Sequence, residues 1–293
     1  MYVWKSRSSP TSHKVIKLRT MIEENIKTGI CNDGTHYDLY NHKGPGPVVV
    51  LVHGLGLNRQ MWRWQIKELK KHYTVLTYDL LGSGNSAPPT GTPTLEMFSQ
   101  QLLALLDELQ IERAAVFGFS LGGMISRRFA MDHPARLWAL GILHSAYKRD
   151  SAAHDAIQQR VYQAQREGPQ ATVEAALLRW FTDEFRNNNN DTMDFVRRSV
   201  LANNKSIYPK IYQVLVDGVN ELVKPDPPIS CPALVMTADQ DYGNSVDMCH
   251  AIAAEIPKAK TVILPGLRHM AMVQEPATFN KMLVNFLNEI SNQ

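Results

Sequence analysis

Short apolar runs alternate with longer amphipathic stretches along most of this chain. Strand-length apolar runs cover residues 48–52, 73–79, 113–118, 137–143, 233–237 and 259–264, and helical patterns cover 59–71, 93–109, 121–132, 244–256 and 276–290. Buried parallel strands are continuous apolar runs, and the crossovers that join them are usually helices. The alternation therefore predicts an α/β fold with a mostly parallel sheet flanked by helices.

The alternation is interrupted between residues 147 and 224, where no strand pattern occurs. Helical patterns fill this interval, over residues 151–166, 170–185, 191–203 and 206–220. The run Pro225-Asp226-Pro227-Pro228 then ends the helical pattern, because proline lacks an amide hydrogen and restricts the residue before it. We predict a helical cap at 147–228, inserted into an α/β core at 22–146 and 229–293, with a disordered basic tail at 1–21.

Composition and charge narrow the function classes. The 293 residues carry a formal net charge of +3, which is too small to indicate nucleic-acid binding, and no apolar run approaches the length of a membrane helix. The three cysteines form no CxxC pair, and no cluster of histidines or acids indicates a metal. We expect a cytoplasmic protein whose substrate is a small molecule and which binds no metal, cofactor, nucleic acid or membrane. The oligomeric state stays open.

One motif provides a candidate nucleophile. Gly118-Phe119-Ser120-Leu121-Gly122 matches G-x-S-x-G between the predicted strand 113–118 and the predicted helix 121–132. In that context the motif holds a serine on a sharp turn with its hydroxyl exposed. The glycines let strand and helix approach closely around a strained backbone. Ser120 is therefore the predicted nucleophile.

A serine nucleophile needs a general base and an acid that orients the base. Asp239 and Asp241 follow the predicted strand 233–237, and His269 follows the predicted strand 259–264. This order of serine, acid and histidine, each at the carboxyl end of a strand, is the one associated with the motif. The sequence predicts a triad of Ser120, His269 and an aspartate, for which Asp241 and Asp239 compete.

These motifs resemble those of the α/β-hydrolase superfamily, and the resemblance spans the chain from about residue 22. Gly266-Leu267-Arg268-His269 matches the family pattern G-x-x-H, and residues 238–241 match G-x-x-D except that Ala238 replaces the glycine. By this spacing the resemblance implies Asp241 as the acid in preference to Asp239. The glycine-rich turn at 79–86 resembles a structural turn of the same family, so we assign it no cofactor.

The segment His53-Gly54-Leu55-Gly56 resembles the HG-x-G oxyanion loop of the family. The resemblance implies that the backbone N–H groups of Leu55 and Leu121 bind the oxyanion, while His53 braces the loop. Dehalogenases and epoxide hydrolases are disfavoured because those relatives have aspartate at the position of Ser120.

The stretch from Leu178 to Arg186 resembles one in the 3-oxoadipate enol-lactonase and carboxylesterase branch. That resemblance implies hydrolysis of a small ester or lactone through a serine acyl-enzyme, with a substrate carboxylate that an arginine could pair. Phe119, Trp62 and Trp180 are candidate substrate-pocket residues, although each also fits core packing. A carbon–carbon bond hydrolase, perhydrolase or acyltransferase with the same triad stays open, as does a slow-turnover ligand receptor.

Overall fold

The computed structural model describes residues 25–41 and 46–291, which form one eight-stranded sheet with helices on both faces. The strands are β1 (Ile26–Ile30), β2 (His36–Tyr40), β3 (Val48–Val52), β4 (Thr74–Tyr78), β5 (Ala114–Phe119), β6 (Leu137–Leu143), β7 (Ala233–Ala238) and β8 (Ala259–Leu264). Their order is β1-β2-β4-β3-β5-β6-β7-β8. β2 pairs antiparallel with β1 and β4, and all other neighbours are parallel. The predicted fold class is confirmed; the predicted tail at 1–21 lies outside the described residues.

The helices cover both faces of the sheet, so its central strands need no polar face. They are α1 (Arg63–Leu69), α2 (Leu95–Glu108), α3 (Leu121–Asp132), α4 (Ser151–Glu167), α5 (Val173–Trp180), α6 (Asp183–Asn188), α7 (Asn190–Leu201), α8 (Tyr208–Asp217), α9 (Val246–Ala254), α10 (Ala271–Gln274) and α11 (Pro276–Ser291). α2, α3 and α9 bury apolar side chains in one core, and α1, α10 and α11 in a second core. Among these described helices, none combines the length and apolar character that crossing a membrane requires.

Five helices, α4 to α8, lie between β6 and β7, in the interval where the sequence pattern lacks strands. The single helix predicted at 170–185 is wrong, because α5 and α6 are separate. Phe181 breaks the helix with an extended backbone (φ −127°, ψ 146°), and its ring is fully buried. The Thr182 side chain then accepts a hydrogen bond from the Phe185 N–H and begins α6, as a threonine N-cap does.

A buried arginine on α3 contacts both ends of this helical insertion. Arg127 donates to the carbonyl of Ala146, just after β6, at 3.2 Å, and to the carbonyl of Leu222, after α8, at 2.6 Å. Glu255 lies 3.7 Å from the guanidinium. Burial lowers the pKa of Arg127 to about 10. The helix that follows Ser120 is thus joined directly to both segments that connect the insertion to the sheet.

Candidate active site

Ser120 lies at the turn between β5 and α3, at the carboxyl edge of the sheet. Its backbone is strained, with φ 55° and ψ −114°, and its N–H donates to the Leu143 carbonyl at 2.9 Å. A Cβ on Gly118 would collide with the carbonyl of Gly122, and a Cβ on Gly122 would collide with that of Val52. The motif glycines are therefore required by close packing around the turn. Ser120 itself borders a cavity.

Asp241 and His269 follow β7 and β8 and form a buried hydrogen-bonded pair. Oδ2 of Asp241 lies 2.7 Å from Nδ1 of His269, while Oδ1 accepts from the N–H groups of Gly243 at 3.2 Å and Asn244 at 3.1 Å. Burial alone would raise the pKa of Asp241, but His269 and His144 outweigh it and hold that pKa well below its usual range. An ionised carboxylate thus fixes the proton of His269 on Nδ1.

The pair borders the same cavity as Ser120. In the described part of the chain no hydrogen bond joins the Ser120 hydroxyl to His269. Such contacts are often long in unliganded enzymes and tighten when substrate binds. The structure therefore brings the predicted nucleophile, base and acid to one place.

Asp239, the competing acid, has a different contact. Its side chain is exposed, and its Oδ1 accepts from the N–H of Gly266 at 2.8 Å. It ties the turn after β7 to the turn after β8. Of the two aspartates, Asp241 alone is hydrogen-bonded to His269 within the described residues, as the family spacing implies.

A second histidine contacts the same carboxylate, and the sequence analysis missed it. His144 directly follows β6, is fully buried, and places its Nδ1 2.9 Å from Oδ2 of Asp241. Its backbone has φ 49°, which is uncommon for a residue other than glycine. The signal available in the sequence was a histidine at the carboxyl end of a strand next to the nucleophile strand.

The predicted oxyanion loop follows β3. His53 is fully buried, with Nδ1 2.8 Å from the Gly54 carbonyl and Nε2 accepting from the Leu80 N–H at 3.0 Å. Both ring nitrogens are therefore engaged with backbone, which is the predicted bracing role. Leu55 borders the cavity, and Leu121 is the first residue of α3, so its N–H has no intrahelical acceptor.

The cavity has a volume of about 320 Å³ and lies between the carboxyl edge of the sheet and the inserted helices. Phe119 and Trp180 line it, with ring centroids 4.7 Å and 6.1 Å from that of His269. Trp62 does not line it: this residue is fully buried beside Met61 in the core. The prediction for Trp62 is corrected accordingly, because this residue ends the short 3-10 helix Arg59–Trp62 and its side chain packs in the apolar core.

Three arginines line the cavity on the side of the inserted helices. Arg149 precedes α4, Arg160 is on α4 and Arg179 is on α5. Arg149 donates to the Leu215 carbonyl at 2.7 Å and Arg160 to the carbonyl of Ala156, one turn earlier in its own helix, at 3.0 Å. Within residues 25–41 and 46–291, none of the three forms an ion pair with an acid.

The charge of Arg160 therefore acts on both of the other arginines. Burial, followed by the charge of Arg160, lowers the pKa of Arg149 to about 10, and the same two causes lower the pKa of Arg179. Partly buried like charges without a counter-ion destabilise each other. Sequence reasoning missed them because arginines spaced along separate amphipathic helices form no motif.

His144, Asp241 and His269 are also the set of side chains that could hold a metal in the described ranges. Both histidine nitrogens lie 2.7–2.9 Å from one carboxylate oxygen. Two ligand atoms on a tetrahedral zinc ion would be about 3.3 Å apart, given bonds of about 2.0 Å. The spacing favours N–H···O hydrogen bonds over a shared metal ion.

Most of the chain matches one protein family. A family model described as the alpha/beta hydrolase fold matches residues 47–276. The chain belongs to this family. The match covers β3 to β8 and includes Ser120, Asp241 and His269.

Individual relatives agree with the assignment. The chain is 28% identical over 251 residues to (E)-2-((N-methylformamido)methylene)succinate hydrolase of Acinetobacter baylyi, covering 85% of this chain and 93% of that protein. It is 27% identical over 235 residues to 3-oxoadipate enol-lactonase 2 of the same organism, covering 80% and 86%. The enol-lactonase structure from Burkholderia xenovorans has a TM-score of 0.81 at 27% identity, covering 89% and 100%. The predicted resemblance to the enol-lactonase branch is confirmed, and hydrolase chemistry is supported.

Proposed function

We propose that this protein is a serine hydrolase that cleaves a small carboxylic ester or lactone, and that its substrate carries a carboxylate. The observation that carries the proposal is that Ser120, on its strained turn, borders one cavity with the hydrogen-bonded pair of Asp241 and His269. Perturbed carboxylates and strained turns cluster at catalytic sites.

In the proposed mechanism, Nε2 of His269 takes the proton of the Ser120 hydroxyl as the oxygen attacks the substrate carbonyl. Asp241 holds the imidazole in the required tautomer and stabilises its cation. The N–H groups of Leu55 and Leu121 bind the oxyanion, and the imidazolium then protonates the leaving oxygen. Water attacks the acyl-enzyme with His269 again as base, which releases the acid and restores Ser120.

The three cavity arginines support the carboxylate. A bound anion would offset the repulsion among Arg149, Arg160 and Arg179, and a planar guanidinium can bind a carboxylate with two parallel hydrogen bonds. Hydrogen bonds to charged groups contribute about 1.5–3 kcal/mol each, which is roughly 10-fold to 150-fold in affinity. The relatives named above for a substituted succinate and for 3-oxoadipate enol-lactone are named for carboxylate-bearing compounds, which agrees with this charge.

The test compares two esters that differ in one charge: mono-4-nitrophenyl adipate and its neutral methyl ester. Both expose the same scissile bond, and the six-carbon chain limits spontaneous attack by the free carboxylate. We expect wild type to cleave both and to prefer the anionic ester by at least tenfold in kcat/KM. Ser120→Ala should cleave neither. Undiminished turnover by Ser120→Ala would contradict the serine mechanism, and a preference for the neutral ester would contradict the carboxylate.

A further inference from the structure

The acid of the proposed triad has one histidine partner more than the mechanism uses. Oδ2 of Asp241 lies 2.7 Å from His269 and 2.9 Å from His144, so one oxygen serves two rings. With two backbone N–H groups on Oδ1, the carboxylate has four close donors. Carboxylates that accept several hydrogen bonds are held in one orientation and stay ionised.

The backbone of His144 is held in an unfavourable conformation to reach this position. Its φ is 49°, and its N–H donates to the Met236 carbonyl on β7 at 2.6 Å. A positive φ costs free energy for a residue with a Cβ and persists where the surrounding structure fixes it. The strand ends of β6 and β7 thus place this imidazole beside the acid.

The surroundings keep His144 neutral. Phe279 stacks on its ring at a centroid distance of 6.3 Å, and Phe119 lies at 6.0 Å. Its Nε2 is buried and contacts no partner among the described residues, so a proton there would have no acceptor. Burial accordingly lowers the pKa of His144, although Asp241 opposes that effect. Neutral His144 must carry its proton on Nδ1, where Asp241 accepts it.

We infer that His144 is a positioning residue for Asp241: a neutral donor that shares the oxygen bound to His269, fixes the carboxylate and moderates its pull on the His269 cation. This inference rests on the proposed function. It assigns no contact with substrate to His144.

Loss of the His144 donor should change the pH dependence of catalysis. Removing the second donor leaves Asp241 more basic and concentrates its attraction on His269. The His269 cation is then stabilised, so the acidic limb of the kcat/KM profile moves to higher pH. Asp241 and His269 are the titratable groups that contact His144; the charged groups across the cavity are Arg149, Arg160 and Arg179, which no test variant changes.

The test is the pH profile of kcat/KM for wild type, His144→Leu and His144→Asn. His144→Leu removes the donor, while His144→Asn keeps a neutral N–H donor and tolerates a positive φ. We expect the acidic limb of His144→Leu to move up by about one pH unit and the plateau to fall about tenfold. His144→Asn should bring both the acidic limb and the plateau most of the way back to their wild-type values. Phe279→Leu is the packing control, because it removes the stacked ring and leaves the hydrogen bond; its limb should stay in place.

An unmoved limb in His144→Leu, or the same movement in Phe279→Leu, would overturn the inference. A measurement without turnover separates it from the proposed function: ¹⁵N-histidine NMR of the Ser120→Ala protein. There His144 should stay neutral with its proton on Nδ1 from pH 5 to 8, and on His144→Leu substitution the imidazolium form of His269 should persist to higher pH. Protonation of His144 in that range, or a proton on Nε2, would overturn the inference even if a variant fails to fold.

Discussion

At the carboxyl edge of the sheet, each side chain proposed to act in bond cleavage lies in the turn that follows a strand: Ser120 after β5, Asp241 after β7 and His269 after β8. The inserted helices border the same cavity differently. Arg160 lies within α4 and Arg179 within α5, and no turn or glycine fixes their positions.

This difference indicates that the two regions have different roles in the proposed reaction. The sheet edge holds its groups rigidly, because parallel strands and buried hydrogen bonds leave little freedom. The inserted helices present long cationic side chains, and the electrostatic repulsion between these side chains depends on the charge of the ligand. We therefore expect substitutions at the sheet edge to change the rate for every substrate, and substitutions of the arginines to change which substrate is preferred.

The largest effect should separate the two aspartates of the sheet edge. Asp241→Asn keeps the shape but removes the charge that fixes the His269 tautomer, so kcat should fall about a thousandfold to ten-thousandfold. Asp239→Asn is the matched control, since Asp239 accepts from the Gly266 N–H at the surface. Its kcat should stay within about threefold of wild type. A comparable loss in both variants, measured with either adipate ester, would reverse the assignment.

The hydrogen bonds by which Arg127 joins the inserted helices to the sheet domain should contribute to the free energy of unfolding. Arg127→Met leaves the Ala146 and Leu222 carbonyls without their donor, and breaking such a buried ionic network costs about 3–5 kcal/mol. Arg128→Met, at the next position, removes surface pairs with Asp132 and Glu221, which are worth about 0–1 kcal/mol. Urea unfolding of the two variants measures the difference. Equal losses would show that Arg127 does not join the insertion to the sheet.

The arginines should alter selectivity. Arg160→Gln and Arg179→Gln should each reduce kcat/KM for the anionic adipate ester by about 10-fold to 100-fold and change that for the neutral ester less than threefold. Arg166→Gln, which makes the same substitution on an exposed part of α4, is the control. Equal losses of kcat/KM for the two esters would contradict the assignment of substrate selectivity to the arginines and of rate to the sheet edge.

The smallest effect concerns pH. Burial lowers the pKa of His53 and of His144, so the unfolded chain takes up protons more readily below about pH 6.5. Their contribution to stability is complete above that pH and is lost as the pH falls. Asp241, whose pKa is lowered, adds a further loss only below about pH 4. Urea unfolding at pH 7.5, 6.5 and 5.5 should show decreasing stability, with a weaker decrease in His144→Asn. Stability that rises toward pH 5.5 would contradict the burial of His53 and His144 in their neutral forms.

The sheet and its edge were largely predictable from sequence. Continuous apolar runs mark buried strands, and the turn around Ser120 demands glycines that a pattern can find. His269 followed from its place after the last strand. The choice between Asp241 and Asp239 needed the family spacing, because two carboxylates two residues apart can both reach a nearby loop. Only the fold shows which one turns inward.

The other features of the site could be recognised only in the folded structure. Trp62 looked like a pocket residue because it is aromatic and close in sequence to the oxyanion loop, yet its side chain is fully buried in the core. His144 reaches Asp241 from 97 positions away, through neighbouring strands β6 and β7. The arginines converge because α4 and α5 fold over the same cavity. Helical patterns predict that such helices exist, but not which faces of them meet.

The central claim, that Ser120 attacks substrate with His269 as base, is tested most directly by covalent trapping. Wild type treated with an aryl phosphonate that reacts with activated serines should gain one adduct mass, and peptide mapping should locate it on Ser120. Ser120→Ala should gain none, and Asp241→Asn should react far more slowly. An adduct of the same size and rate on Ser120→Ala would contradict the claim.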